Sequence, residues 1–155
     1  LAQGGWRNWV HTSVETELRD AVNLVVGAVE RDLLRAAELK GKDGVEITDQ
    51  QLKIVTAWQG GNPSSEAVPQ QVIVYTIATD GLDGRTSIYR YAGPPQDGAR
   101  GMRLAGEDVD FAGSTFQRQS HRRVLVKVQV QKGAHTLSTV ASCRYGYGSL
   151  PQTGE

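Results

Sequence analysis

This sequence of 155 residues has little of several features that mark common protein classes. It has one cysteine, Cys143, which excludes an internal disulfide. The 17 basic and 17 acidic residues cancel, so overall charge does not indicate nucleic-acid binding. No apolar run reaches the roughly 20 residues that a bilayer-spanning helix needs. The chain begins with Leu1 rather than Met, so we expect a processed protein or a fragment of a longer one.

The chain also lacks a recognisable catalytic or metal-binding pattern. Its histidines stand in different predicted elements, away from ligand spacing: His11, His121 and His135. The aspartates of residues 80–83 and 108–110 do not form a calcium loop, since calcium needs about six oxygen ligands or more. No serine lies in a nucleophile elbow, and no glycine pair opens a helix after a strand. We therefore predict no catalytic residues, no metal and no cofactor, and a protein that is not an enzyme.

An amphipathic helix near the N-terminus is the clearest feature present. Within residues 18–39, apolar residues recur at steps of three or four, which places them on one face of a helix. This core stripe consists of Leu18, Val22, Val25, Val29 and Leu33, with Ala36 beyond. Thr12 or Ser13 offers an N-terminal cap and Gly41 a stop, so the predicted helix spans residues 13–40.

The remainder of the chain has the pattern of strands separated by turns. Predicted strands are residues 51–57, 71–79, 86–92, 108–116, 124–131 and 135–143. Cys143 falls in the last of them, which favours a buried small hydrophobe over a reactive thiol. Hairpin-sized turns between the strands indicate a largely antiparallel sheet, covered by the helix on one face. We expect Val25, Val29 and Leu33 of the core stripe to contact sheet residues such as Val72, Val74, Val126 or Val128.

These elements together predict an α+β fold, with a long N-terminal amphipathic helix packed on an antiparallel β-sheet. The length suits a single domain, residues 1–155. Within it we expect a helix over residues 13–40, a β-rich body over residues 51–143, and a tail over residues 144–155.

Charge is unevenly distributed along the chain. Residues 1–110 carry 16 acids and 11 bases, whereas residues 111–155 carry six bases and one acid. The candidate partner or polyanion site, called here the basic patch, consists of Arg118, His121, Arg122, Arg123 and Lys127. Strand alternation puts only Lys127 on the polar face of residues 124–131, and the arginines gather in the preceding turn. So compact a patch predicts weak DNA binding at best and favours docking to acidic subunits.

The order of these elements resembles the minor pilins and pseudopilins, most closely the J-type minor pseudopilins and the W-type minor pilins. The late-helix pattern VERDLLRAA at residues 29–37 carries the resemblance, with VIVYTI at 72–77 and SIYRY at 87–91 as a hairpin. Residues 102–111, MRLAGEDVDF, are similar to the family's entry to its second half. Residues 124–130 and 137–144 are similar to its closing hairpin. The match spans residues 15–145.

The resemblance implies a ladle-shaped, pilin-like α+β fold without catalysis or cofactor. It implies a minor subunit that primes or caps a type II secretion or type IV pilus-like filament, with minor and major pilins or pseudopilins as partners. In the family a membrane-spanning segment precedes the helix and anchors the subunit in the inner membrane; residues 1–12 would be its seam. The implied location is the cell envelope, first anchored in the membrane and then in an extracytoplasmic filament.

Two alternatives remain open. A DNA-contacting minor pilin of a competence pilus would use the basic patch, with binding that falls steeply as salt rises. A sortase-anchored surface protein is suggested by LPQTGE at residues 150–155, which matches the LPxTG sorting signal.

Overall fold

The computed structural model describes residues 2–39, 42–60, 67–104 and 108–145, with side chains from Ser13 onward. In this part of the chain one helix precedes nine strands. The elements are α1 (Ala2–Leu33), β1 (Val45–Thr48), β2 (Gln51–Gln59), β3 (Val68–Thr79), β4 (Thr86–Gly93), β5 (Met102–Arg103), β6 (Asp108–Val109), β7 (Thr115–Ser120), β8 (Arg123–Lys132) and β9 (His135–Arg144).

The strands form two antiparallel sheets. Strands β1 to β5 pair in sequence order as a five-stranded meander. In the four-stranded sheet β8 is central and pairs with β6, β7 and β9. Tight turns make this order possible: Gly84 before β4 and Gly133 before β9 both have positive φ, which glycine adopts without steric cost.

The predicted fold class, a long helix packed on an antiparallel sheet, is wrong. The described chain is mostly antiparallel β-sheet, and its single helix is a minor part of it. The prediction assumed that all the strands share one sheet with a solvated outer face. Instead the register separates them after β5, and two sheets contribute side chains to one core. The strands therefore determine the architecture, because each sheet supplies a buried face to that core.

The core stripe of α1 lies in this core. Leu18, Val22, Val25, Val29 and Leu33 are each at most 3% exposed. The helix lies against β8 and β9, and the core includes Val126 and Val128, as expected. The other two residues named for this contact, Val72 and Val74, do not belong to this core cluster. On β3 the core residues are Ile73, Tyr75 and Ile77, so strand alternation turns Val72 and Val74 to the opposite face of the sheet.

The helix bounds also differ from the prediction. Helical backbone begins at Ala2, within the predicted seam, and ends at Leu33 rather than at residue 40. It ends there because Ala37 joins β2: its amide donates to the Val55 carbonyl at 2.8 Å, and its carbonyl accepts from Trp58 Nε1 at 2.8 Å. Gly44 permits this approach, since a Cβ there would lie 2.4 Å from the Ala37 oxygen.

The predicted strand over residues 108–116 is two strands, β6 and β7, separated by a turn. Gly113 in that turn lies against Asp110 and Gln129, where an added Cβ would come within 2.8 Å of both side chains. Prediction also missed β1 and β5, which have four and two residues. Strands so short give little periodic signal.

Candidate functional site

Arg118 of the basic patch is held by polar groups of its own chain, although its side chain is 36% exposed. Its Nη2 lies 3.3 Å from the Asp43 carboxylate and donates to the Val45 carbonyl at 2.9 Å. Its Nη1 donates to the hydroxyl of Tyr145, a side chain 1% exposed. That hydroxyl donates in turn to the His121 carbonyl at 2.7 Å. Arg118 and His121 thus help to fix the chain after β9, and Arg118 is unsuited to a mobile ligand.

Arg122 is likewise occupied. Its Nη2 lies 3.1 Å from the Glu38 carboxylate, in the segment that follows α1. The basic patch therefore does not form one open cationic surface. Two members, Arg123 and Lys127, lie on the outer face of the four-stranded sheet and are exposed. The register adds Arg144 to them, a residue that the prediction had assigned to the C-terminal tail.

A second surface is the outward side of α1, opposite the core stripe. This outer helix face consists of Asp20, Leu24, Gly27 and Arg31, together with Leu34 directly after the end of α1. Leu24 is 54% exposed and Leu34 is 67% exposed, and both lie on the same side as Gly27. A Cβ added at Gly27 would meet no atom within 4 Å, so the packing of this chain does not require glycine there. The face is exposed and partly apolar, and the residue at its centre, Gly27, has no side chain.

The end of α1 carries a buried ion pair that the sequence did not reveal. Asp32 has a side chain 0% exposed, and it accepts hydrogen bonds from Arg90 Nε at 2.8 Å and from the Tyr75 hydroxyl. Burial alone would raise the pKa of Asp32, but the hydrogen bonds from Arg90 and Tyr75, with the charge of Arg90, lower it overall. Burial, followed by the bond to Asp32, raises the pKa of Tyr75. The cluster stays ionised at Asp32 and fixes the helix end to β3 and β4.

A groove lies on the other face of the five-stranded sheet. It has a volume of about 390 Å³ and lies between β3 and the loop of residues 94–101, with Val72, Val74 and Tyr91 among its lining. Lys53 at its side lies 3.8 Å from Glu46, and the Tyr91 hydroxyl donates to the Pro94 carbonyl at 2.6 Å. No nucleophile and base are bonded to each other among these lining side chains, so the groove does not indicate catalysis.

Of the aspartates considered for calcium, Asp80, Asp83 and Asp108 are paired with arginines, and Asp110 accepts a hydrogen bond from Gln129 Nε2 at 3.2 Å. Asp83 lies 3.2 Å from Arg103, which is also 3.7 Å from Asp80, and Asp108 lies 2.6 Å from Arg85. Within the described ranges, no three His, Cys, Asp or Glu side chains come together as potential metal ligands.

The expected burial of Cys143 is confirmed: its side chain is 1% exposed. Burial, with a smaller contribution from the charge of Glu30, raises the pKa of the thiol to about 11. It is a core residue rather than a nucleophile at neutral pH.

Two sequence features lie outside the described residues: the LPQTGE motif at residues 150–155 and the side chains of the predicted seam. In the part of the helix that the structure describes, no segment is both long enough and apolar enough to cross a bilayer. Comparison with protein-family models, curated proteins and solved structures finds no match to this chain.

Proposed function

We propose that this protein is a non-catalytic subunit of an envelope filament, of the minor pilin or pseudopilin kind. It would prime or cap a type II secretion or type IV pilus-like filament, with other minor and major subunits as partners. The observation that carries the proposal is the outer helix face, where exposed leucines flank a glycine that the chain itself does not need.

Gly27 lies at the middle of the outer helix face. A glycine inside a helix costs about 1 kcal/mol relative to alanine, because it adds backbone entropy to the unfolded chain. Since nothing lies within 4 Å of an added Cβ, the folded monomer gains nothing in return. A close approach by the helix of a neighbouring subunit would use that space. Leu24 and Leu34 would then be covered by the same neighbour, which accounts for their exposure in the isolated chain.

Site-specific photo-crosslinking tests this role in the cell that makes the protein. A benzophenone side chain at position 24 should yield covalent adducts with other filament subunits, recovered from the membrane and sheared-filament fractions. The matched control places benzophenone at position 46. The native Glu46 side chain is 71% exposed and belongs to β1, not to α1. Equal adducts at both positions, or none at position 24, would contradict the proposal.

The gene itself provides a second test. A subunit of this kind is anchored by about 20 predominantly apolar residues, the length that crosses a bilayer, upstream of Leu1. A cleavable secretory signal at that position, without a spanning segment, would exclude the minor-pilin function.

The DNA-contacting alternative gains no support from the described residues. It needed the arginines of the basic patch on one open side. Arg118 and Arg122 are instead held by Asp43 and Glu38. The remaining charges are too few for the strong salt dependence of dedicated DNA binders.

A further inference from the structure

We infer that Arg123 and Arg144 form a docking site for an acidic segment of a partner protein. The site lies on the outer face of the four-stranded sheet, where β8 and β9 meet near the end of β9. It goes beyond the proposed function, because it uses a surface separate from the outer helix face and specifies the chemistry of what binds there.

The two arginines are brought together by the strand register. Arg123 and Arg144 are directly opposite each other in the β8–β9 ladder, which runs without a register shift to Lys132 and His135. Directly opposed residues project to the same side of a sheet, and both side chains are exposed. Like charges in such a pair repel and destabilise the sheet. Among the residues that the structure describes, no carboxylate forms an ion pair with either guanidinium group.

The surrounding side chains hold one arginine in place without neutralising it. Arg123 Nη1 donates to the Ser142 hydroxyl at 3.2 Å, and that hydroxyl donates to Gln119. Of the described carboxylates, none lies within 4.0 Å of Arg123 or Arg144, whereas Arg118 and Arg122 each have one. The negative groups near this corner are thus already used by the neighbouring arginines. Arg123 is preorganised, and both guanidinium groups retain donors for a bidentate contact with an oxyanion.

The rest of the outer face favours a protein over a nucleic acid. It is mostly polar and weakly charged, with Gln117, Lys127, Gln129, Thr136 and Ser138, two apolar residues, Leu125 and Val140, and Asp108 at its β6 edge. Lys127 stands about 13 Å from Arg123, at 3.3 Å per strand residue, so the cations are few and spread. No aromatic side chain is present among these residues for stacking on bases. On such a face, each of the two adjacent arginines can pair with one carboxylate of an acidic protein segment.

Binding of an octaglutamate peptide to the full chain tests the inference. Titration at about 0.05 M salt, followed by amide NMR shifts, should move the signals of β8 and β9 near Arg123 and Arg144. The double variant Arg123→Gln, Arg144→Gln should weaken binding at least tenfold while leaving the folded spectrum intact. The matched control Arg19→Gln, Arg35→Gln removes the same charge from α1 and its following turn and should bind as the parent does.

Three results would overturn the inference. One is an equal loss of affinity in both double variants, which would show that binding depends on the net charge of the protein and not on these two arginines. Another is binding that is unaltered by Arg123→Gln, Arg144→Gln. The third is a DNA duplex that binds more tightly than octaglutamate at about 0.15 M salt and depends on the same two arginines. None of these results bears on crosslinks from position 24, so the two proposals fail independently.

Discussion

The Asp32 carboxylate lies 2.8 Å from Arg90 Nε, a contact that joins the end of α1 to β4 across 58 residues of sequence. The Asp32 side chain is fully buried, and Tyr75 from β3 donates to the same carboxylate. Removing one partner of a buried ion pair leaves the other charge uncompensated. Asp32→Asn should therefore lower the free energy of unfolding, measured by urea denaturation, by about 3 kcal/mol. This value is at the low end of the range for broken buried ion pairs, because the Arg90 side chain is 25% exposed.

The control for that variant is Asp20→Asn, an exposed position of the same helix. It should change the free energy of unfolding by less than about 0.5 kcal/mol, as surface substitutions usually do. Equal effects at the two positions would show that the Asp32 cluster does not stabilise the fold.

Acid should remove the contribution of Asp32. The pKa of Asp32 is lowered in the folded chain, so the folded state binds the proton less readily than the unfolded state. The stabilisation is complete above the unfolded pKa of about 3.9 and is lost as pH falls through the folded pKa. The difference in unfolding free energy between the parent and Asp32→Asn should narrow as the pH falls below about 4. A difference that stays constant from pH 6 to the acid limit would contradict this assignment.

Leu33 and Leu34 form a matched pair at the end of the helix. Leu33 is 0% exposed and Leu34 is 67% exposed. Leu33→Ala should lower the free energy of unfolding by about 2–5 kcal/mol, because it removes buried methyl groups and leaves a cavity. Leu34→Ala should leave the urea midpoint nearly unchanged. If Leu33→Ala also leaves it unchanged, the core stripe does not stabilise the fold.

Two glycines should respond to alanine in opposite directions. Gly27→Ala should raise the free energy of unfolding of the isolated chain by about 1 kcal/mol, since alanine favours helix and nothing obstructs its Cβ. Gly44→Ala should lower it, because the Cβ would lie 2.4 Å from the Ala37 carbonyl oxygen. Thermal unfolding of both variants measures the two shifts. Destabilisation by Gly27→Ala would show that the folded monomer itself needs glycine at position 27.

Cys143 should resist modification in the folded chain. Its thiol is 1% exposed, and its pKa is raised to about 11, so little thiolate forms at neutral pH. An aromatic disulfide reagent at pH 7.5 should label it only after denaturant is added. Rapid labelling of the native protein would show that the strand opens locally at this site.

The sequence predicted those elements that have a strong period. The apolar residues of α1 and the alternating valines of β8 identify their buried faces, because each pattern repeats several times. On β3 both faces carry apolar residues, so alternation could not decide between Val72 and Ile73. The structure settles this by placing Ile73 in the core.

What the sequence could not give is the contact between distant segments. The two-sheet arrangement depends on which strands pair, and no local pattern separates β5 from β6. The Asp32–Arg90 pair was missed for the same reason, since an aspartate between charged and apolar helical residues looks like a solvated position. In the basic patch, the partners Asp43 and Glu38 lie 75 and 84 residues away from Arg118 and Arg122, beyond the reach of spacing arguments.

The position of α1 against β8 and β9 has a consequence for biosynthesis. The five-stranded meander is made of consecutive segments, so it can form as soon as its own residues leave the ribosome. The helix cannot be covered then, because the strands against which it lies begin about 90 residues after Leu33. Since translation adds about 5–20 residues per second, the apolar stripe of the helix stays uncovered for roughly 5–18 s before these strands are made. During that interval the nascent chain exposes an apolar helix face that the finished protein buries.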